Sequence, residues 1–248
     1  MAKFSVRRQA IFAALGYMAI MALGMVVMRF VFGYHYGQPE MMRVLIWFEI
    51  ALSLFAFFTA RRIFGDWRCG FDAMDWRGIG WMLPHFAVVG VMAVMLAQLW
   101  WPDDSGLAPL VVATTLLVGF SEELMFRGIV LRGALTAGGR GRAIVTSAGM
   151  FALLHGVNVL GGVPVLAVVT QVGLTFVFGF GLACIALRIN ALWPLMLFHA
   201  LWDMLLFLGT LYQVDFGVVV FVGIAANALV GVALWFFVLR RGVSSSAR

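Results

Sequence analysis

Apolar residues in this chain run in long blocks, and polar residues gather in the short gaps between them. A helix that crosses a bilayer needs about 20 mostly apolar residues. On that measure the sequence predicts spans at about 10–32, 42–60, 79–101, 108–131, 143–162, 164–187, 190–209 and 216–239. The spans at 143–162 and 164–187 are the weakest, because Gly161, Gly162 and Pro164 interrupt them. The expected fold is all-α: a polytopic transmembrane helical bundle of about eight helices. It reads as one integral membrane domain over 1–248, with no internal repeat and a motif-bearing core at about 108–209.

Composition excludes a soluble domain. Hydrophobic residues make up 64% of the 248 residues and charged ones 11%, where soluble domains carry about 25% charge. Lys3, Arg7 and Arg8 resemble the start of a secretion signal. The apolar run from Ile11 to Val27 is long for one, and no small-x-small cleavage site follows, so it reads as a retained first helix. Cys69 and Cys184 have neither disulfide nor metal-ligand spacing.

The net charge of +6 does not point to nucleic acid, because the basic residues are spread between the apolar blocks. Instead they set topology. Arg61, Arg62, Arg68 and Arg77, then Arg132, Arg140 and Arg142, then Arg188, then Arg240 and Arg241 fall in alternate gaps. The intervening gaps hold only Arg29 and Arg43 as basic residues, and one holds Asp103 and Asp104. Positive residues favour the cytoplasmic side, so an even number of spans with both termini cytoplasmic is expected, in a plasma (inner) membrane. Trp67, Trp100 and Trp101 fall at predicted span ends, where amphipathic rings favour the headgroup level. The tail from Gly242 is expected to be disordered.

Ionisable residues inside spans carry the chemistry, since each must face a protein interior or a water cavity. They are Glu49, Glu122, Glu123 and Asp203, with His85, His155 and His199. Glu123 and Arg127 are four apart and share a helix face, which lets the two charges neutralise each other. Glu122 points about 100° away, without that partner. A carboxyl held away from water suits a general acid or base, though a purely structural polar knot fits the same residues. Phe151 and His155 share a face, as do His199 and Asp203, where the acid can fix the imidazole tautomer. Glu122, His155 and His199 each fall near the middle of a predicted span, so one water-filled cavity would satisfy all three. Glu49, His85 and Asp215 have no role assigned by pattern.

At these residues the chain resembles the CAAX protease and bacteriocin-processing (Abi) family, which includes the type II CAAX prenyl endopeptidases. The family pattern reads here as Glu122-Glu123…Arg127, Phe151…His155 and His199…Asp203, in family order and spacing. The resemblance covers roughly 120–205, and the first three spans carry no matching motif. It implies an eight-helix intramembrane endopeptidase of glutamate type. Glu122 and His155 would activate a water, His199 and Asp203 would stabilise the oxyanion, and Glu123, Arg127 and Phe151 would hold the site's shape. Position 203 departs from the prenyl endopeptidases, which have Asn there. The resemblance implies no cofactor; two histidines and a glutamate are also a zinc donor set, so the donors alone leave zinc open. Implied partners are membrane lipid and a peptide or protein substrate, lipidated or membrane-anchored ones included.

Other intramembrane protease types fit poorly, since the chain has no His-Glu-x-x-His, no Gly-x-Ser-x-Gly and no Gly-x-Gly-Asp. Two other functions remain. One is a non-catalytic immunity or scaffold protein of the same fold. The other is a proton-coupled transporter, against which the missing repeat and paired broken helices argue. The topology has a direct test. Reporters fused at Ser244 and at Asp103 should report opposite sides, cytoplasmic for Ser244; the same side for both would sink the eight-span arrangement.

Overall fold

The computed structural model describes residues 5–66, 69–71, 73–98 and 106–243, with side chains to residue 239. Lys3, Trp67, Arg68, Trp100, Trp101, Asp103, Asp104 and the tail beyond Val243 lie outside the described residues, so the expectations placed on them are not addressed. All regular structure among the described residues is helical. The helices are α1 (Val6–Phe30), α2 (Met42–Phe64), α3 (Leu83–Gln98), α4 (Leu107–Glu123), α5 (Leu131–Leu135), α6 (Arg140–Leu154), α7 (Val165–Ile189), α8 (Trp193–Tyr212) and α9 (Gly217–Val243). A π-helical turn, Leu124–Val130, joins α4 to α5 as one rod. A 3-10 turn, His155–Val159, extends α6.

The rods coincide with the eight predicted spans, with one difference. Seven are long and apolar enough to cross a membrane, and the rod made of α6 and its 3-10 turn is not among them. It has 15 α-helical residues and five more in the tighter turn, about 32 Å in all at 1.5 and 2.0 Å per residue. It also carries Arg140, Arg142, His155 and Asn158. It still runs the length of the bundle. At its start Arg140 donates to the Val238 carbonyl of α9, and beyond its far end Gly161 accepts from Tyr36, between α1 and α2. Neighbouring helices shield it, so its polarity is tolerated where a lipid-facing helix's would not be.

The loops rich in arginine meet at one end. Arg132 donates to Asn190, Arg188 pairs with Asp75, and the Leu192 N–H donates to Gly70 O. The start of α1 lies there too, with Ala10 against Gly133 of α5. Asp215 Oδ1 accepts from the Gly217 N–H and caps the first turn of α9.

Small residues let the rods approach. α4 packs on α8 and α2, α6 on α7, and α7 on α9. The closest crossing is at Gly119 of α4, where an added Cβ would stand 2.6 Å from Met196 O and 2.8 Å from Ala200 N of α8. Gly181 plays the same part opposite Asn227 of α9. Asn227 Nδ2 donates to Val177 O and Phe178 O, so its Oδ1 faces His85 Nε2 at 3.0 Å as acceptor. His85, without a role in the sequence reading, therefore ties α3 to α7 and α9.

Backbone cannot step aside as a side chain tip can, and overpacking a close contact costs about 1–3 kcal/mol. Gly119→Ala should therefore lower the thermal midpoint of the purified protein in detergent and reduce its accumulation. An unchanged midpoint would mean that α4 and α8 do not meet this closely.

Candidate active site

The π turn sits at the centre of the bundle, and all seven of its residues are buried. Such turns widen a helix by one residue and are frequent at functional sites. Two carbonyls of this turn find partners on other elements. Phe126 O accepts from Ser147 Oγ at 2.8 Å, and Gly128 O from Cys69 Sγ at 2.9 Å. In a membrane interior an unmet backbone group is costly, so these contacts explain a buried thiol to which spacing had assigned nothing.

Just before the turn, the two glutamates part. Glu123 Oε1 accepts from Arg127 NH1 at 3.0 Å and pairs with His199 Nδ1 at 2.8 Å. Glu123 and Arg127 are fully buried. The Arg127 guanidinium lies 4.0 Å over the Phe151 ring, a cation–π contact. Phe151 in turn meets His155 and His199 edge-on, with ring centroids 5.1 and 5.8 Å away. The expected Glu123–Arg127 pair is present, and Phe151 lies under the two histidines.

Glu122 faces the other way, into a cavity of about 620 Å³. Its Oε2 lies 3.8 Å from His199 Nε2 and has no hydrogen-bond partner among the described residues. His155, His199 and Asp203 line the same cavity. The four residues predicted to act are thus brought together from α4, α6 with its 3-10 turn, and α8.

Two details differ from the sequence expectation. His155 is not mid-helix: α6 ends at Leu154, and His155 opens the 3-10 turn. Its Nδ1 bonds the Phe151 carbonyl at 3.1 Å. A carbonyl only accepts, so Nδ1 carries a proton, and in the neutral imidazole Nε2 is the open acceptor. Secondly, Glu123, not Asp203, holds His199 Nδ1, because the Gly119 crossing brings the end of α4 against α8. Asp203 lies 3.6 Å from Nε2, with its side chain 24% exposed.

Pattern reading missed four contributors. Ser121 Oγ donates to Glu49 Oε2 at 3.2 Å and lies 2.7 Å from the Tyr17 hydroxyl, and Glu49 lines the cavity. A charge within a span was the available signal for Glu49. Tyr36, Asn158 and Gln171 also line the cavity, and loop or amide residues carry no such signal. Among the described residues, no group of three or more His, Cys, Asp or Glu side chains is arranged to hold a metal ion.

Comparison with known proteins agrees with the motifs. Residues 104–205 match the family model described as type II CAAX prenyl endopeptidase Rce1-like. The match covers about two fifths of the chain, from the region before α4 into α8, and bears out the resemblance to the CAAX protease family. By its description that family is one of CAAX prenyl endopeptidases. No curated protein and no solved structure shows significant similarity to the chain.

Removing one partner of a buried ion pair strands the other and costs about 3–5 kcal/mol. Glu123→Ala and Arg127→Ala should each cut the amount of folded protein in the membrane, read by size exclusion in detergent. Wild-type yield for both would show that the pair is dispensable to the fold.

Proposed function

We propose that the chain is an intramembrane endopeptidase of glutamate type, in which Glu122 and His155 activate a water that attacks the substrate's peptide carbonyl. One observation carries this reading. Two proton-accepting atoms, the unpartnered Oε2 of Glu122 and the Nε2 of a neutral His155, belong to side chains that line one cavity. A general base needs both an open acceptor and a place for the water.

The proton balance is simple. Glu122 takes a proton as water adds to the carbonyl carbon, and the carbonyl oxygen becomes an oxyanion. His199, as imidazolium, donates from Nδ1 to Glu123 and from Nε2 to the oxyanion, and the Glu123 carboxylate supplies the counter-charge. The C–N bond then breaks, and the proton held by Glu122 passes to the leaving amine. Because Glu123 already orients His199, Asp203 is left to meet the oxyanion as a protonated acid. That job is open to Asn, the residue of the prenyl endopeptidases.

The cavity walls are largely apolar, with Met21, Met25, Phe178 and Trp202 among them. They suit a substrate that carries an apolar or lipid-anchored segment. The arginine-rich end faces the cytoplasm of a plasma (inner) membrane in this reading, with both termini on that side.

Glu122→Gln and His155→Ala should lower cleavage of a labelled peptide at least about 100-fold with protein still present in the membrane. Asp203→Asn should keep substantial kcat/KM, while Asp203→Ala loses on the order of 100-fold, as for one oxyanion donor. Full activity in Glu122→Gln would refute the general base.

A further inference from the structure

Beside the motif residues the cavity holds a second polar cluster, Tyr36, Asn158 and Gln171, drawn from three elements. Asn158 follows His155 by three residues in the 3-10 turn. Three residues complete a turn there and their side chains eclipse, so the two stack on one side of the rod. Asn158 Nδ2 donates to Gln171 Oε1 of α7 at 3.0 Å.

Tyr36 arrives from the loop between α1 and α2. Its N–H donates to Gly161 O at 2.9 Å, which fixes the loop over the end of the α6 rod. The approach needs a glycine: a Cβ at Gly161 would stand 3.0 Å from the Tyr36 Cβ. The Tyr36 phenol stands in side-chain hydrogen-bond contact with Gln171 and Asn158. A phenol oxygen can accept from amide N–H groups while its own hydrogen serves a further acceptor. Burial pushes the phenol up to about 12. Tyr36 thus keeps that hydrogen throughout the physiological pH range.

An extended peptide held in a largely apolar cavity has main-chain N–H and C=O groups that must find partners. The motif residues are committed to the reacting bond and to one another. We propose that Tyr36, held by Asn158 and Gln171, donates a hydrogen bond to a main-chain carbonyl of the peptide substrate and is a substrate-binding residue of this site. The inference rests on the peptidase reading above. Tyr36 enters from a loop and not from the helices that carry Glu122 and His199, and its contact in this proposal is with the flanking backbone, the same in ground and transition states. Loss of such a contact raises KM and leaves kcat nearly alone.

The test compares wild type, Glu122→Gln, Tyr36→Phe and Asn158→Ala on one peptide in proteoliposomes, with thermal midpoints measured alongside. Wild type should turn over and Glu122→Gln should not, which establishes the peptidase reading first. Tyr36→Phe should then raise KM on the order of 10-fold, the size of one hydrogen bond, with kcat within about twofold and an unchanged midpoint. Asn158→Ala should raise KM in the same direction. Across peptides in which one carbonyl at a time is replaced by methylene, a single position should abolish the difference between wild type and Tyr36→Phe. A wild-type KM in Tyr36→Phe overturns the inference while leaving the peptidase reading intact. So does a loss confined to kcat, a fall in midpoint that accounts for the change, or a difference that survives at every methylene position. A wild type that cleaves no peptide sinks the peptidase reading, and this inference with it.

Discussion

The Glu123 carboxylate is the contact on which the centre of the bundle depends. Its Oε1 serves Arg127 and His199 at once. In a hydrocarbon interior, an isolated guanidinium, carboxylate or imidazole has no water to fall back on. Meeting at one oxygen gives each of the three a partner of opposite charge or polarity, and it couples α4 to α8. It also sets the imidazole's orientation, so that Nε2 faces the cavity. Arg127 is braced from the other side by the Phe151 face, which joins α6 to the same knot.

The rest of the architecture reads as accommodation to that knot. Glu123 is the last residue of α4 proper, and the π turn begins directly after it. Two carbonyls of the widened turn take hydrogen bonds from Ser147 and Cys69, so it stays buried with its backbone partnered. Gly119, one helical turn earlier, removes the side chain that would hold α8 away. A single polar contact between two helices thus dictates a glycine before it and a π turn after it. Neither has meaning in a sequence pattern taken alone.

What the sequence reveals follows from what membrane physics constrains. Length and hydropathy located all eight rods, because lipid demands both. They misjudged the α6 rod, which is short and polar since protein rather than lipid surrounds much of it. The motif residues were legible because an ionisable residue inside a span has few innocent explanations. Their partners were less so. Spacing within one helix finds Glu123–Arg127, yet the bond between Glu123 and His199 spans 76 positions and leaves no local trace. For the same reason the i, i+4 pairing of His199 with Asp203 looked like the orienting contact, when a residue from another helix does that work. Tyr36 was invisible: a tyrosine in a loop gives no hint that the end of another rod will bring it into a cavity.

The two adjacent glutamates show why the pair must be adjacent. Consecutive residues on a helix point about 100° apart. One carboxylate can then be sealed in the interior while the next faces the cavity, at the same depth and from the same rigid turn. Glu123 Oε1 is committed to two partners inside the bundle, whereas Glu122 lines the cavity with an Oε2 that has none among the described residues. A residue tied that firmly could not also accept a proton without loosening the bundle. One left open as Glu122 is could not hold the bundle together. In the proposed mechanism, splitting the two jobs between neighbours lets the cavity-facing carboxylate take a proton without disturbing the contacts that hold the bundle. His199 lies between them, 2.8 Å from Glu123 and 3.8 Å from Glu122, so the carboxylate that fixes the imidazole also sets its distance from the one that faces the cavity.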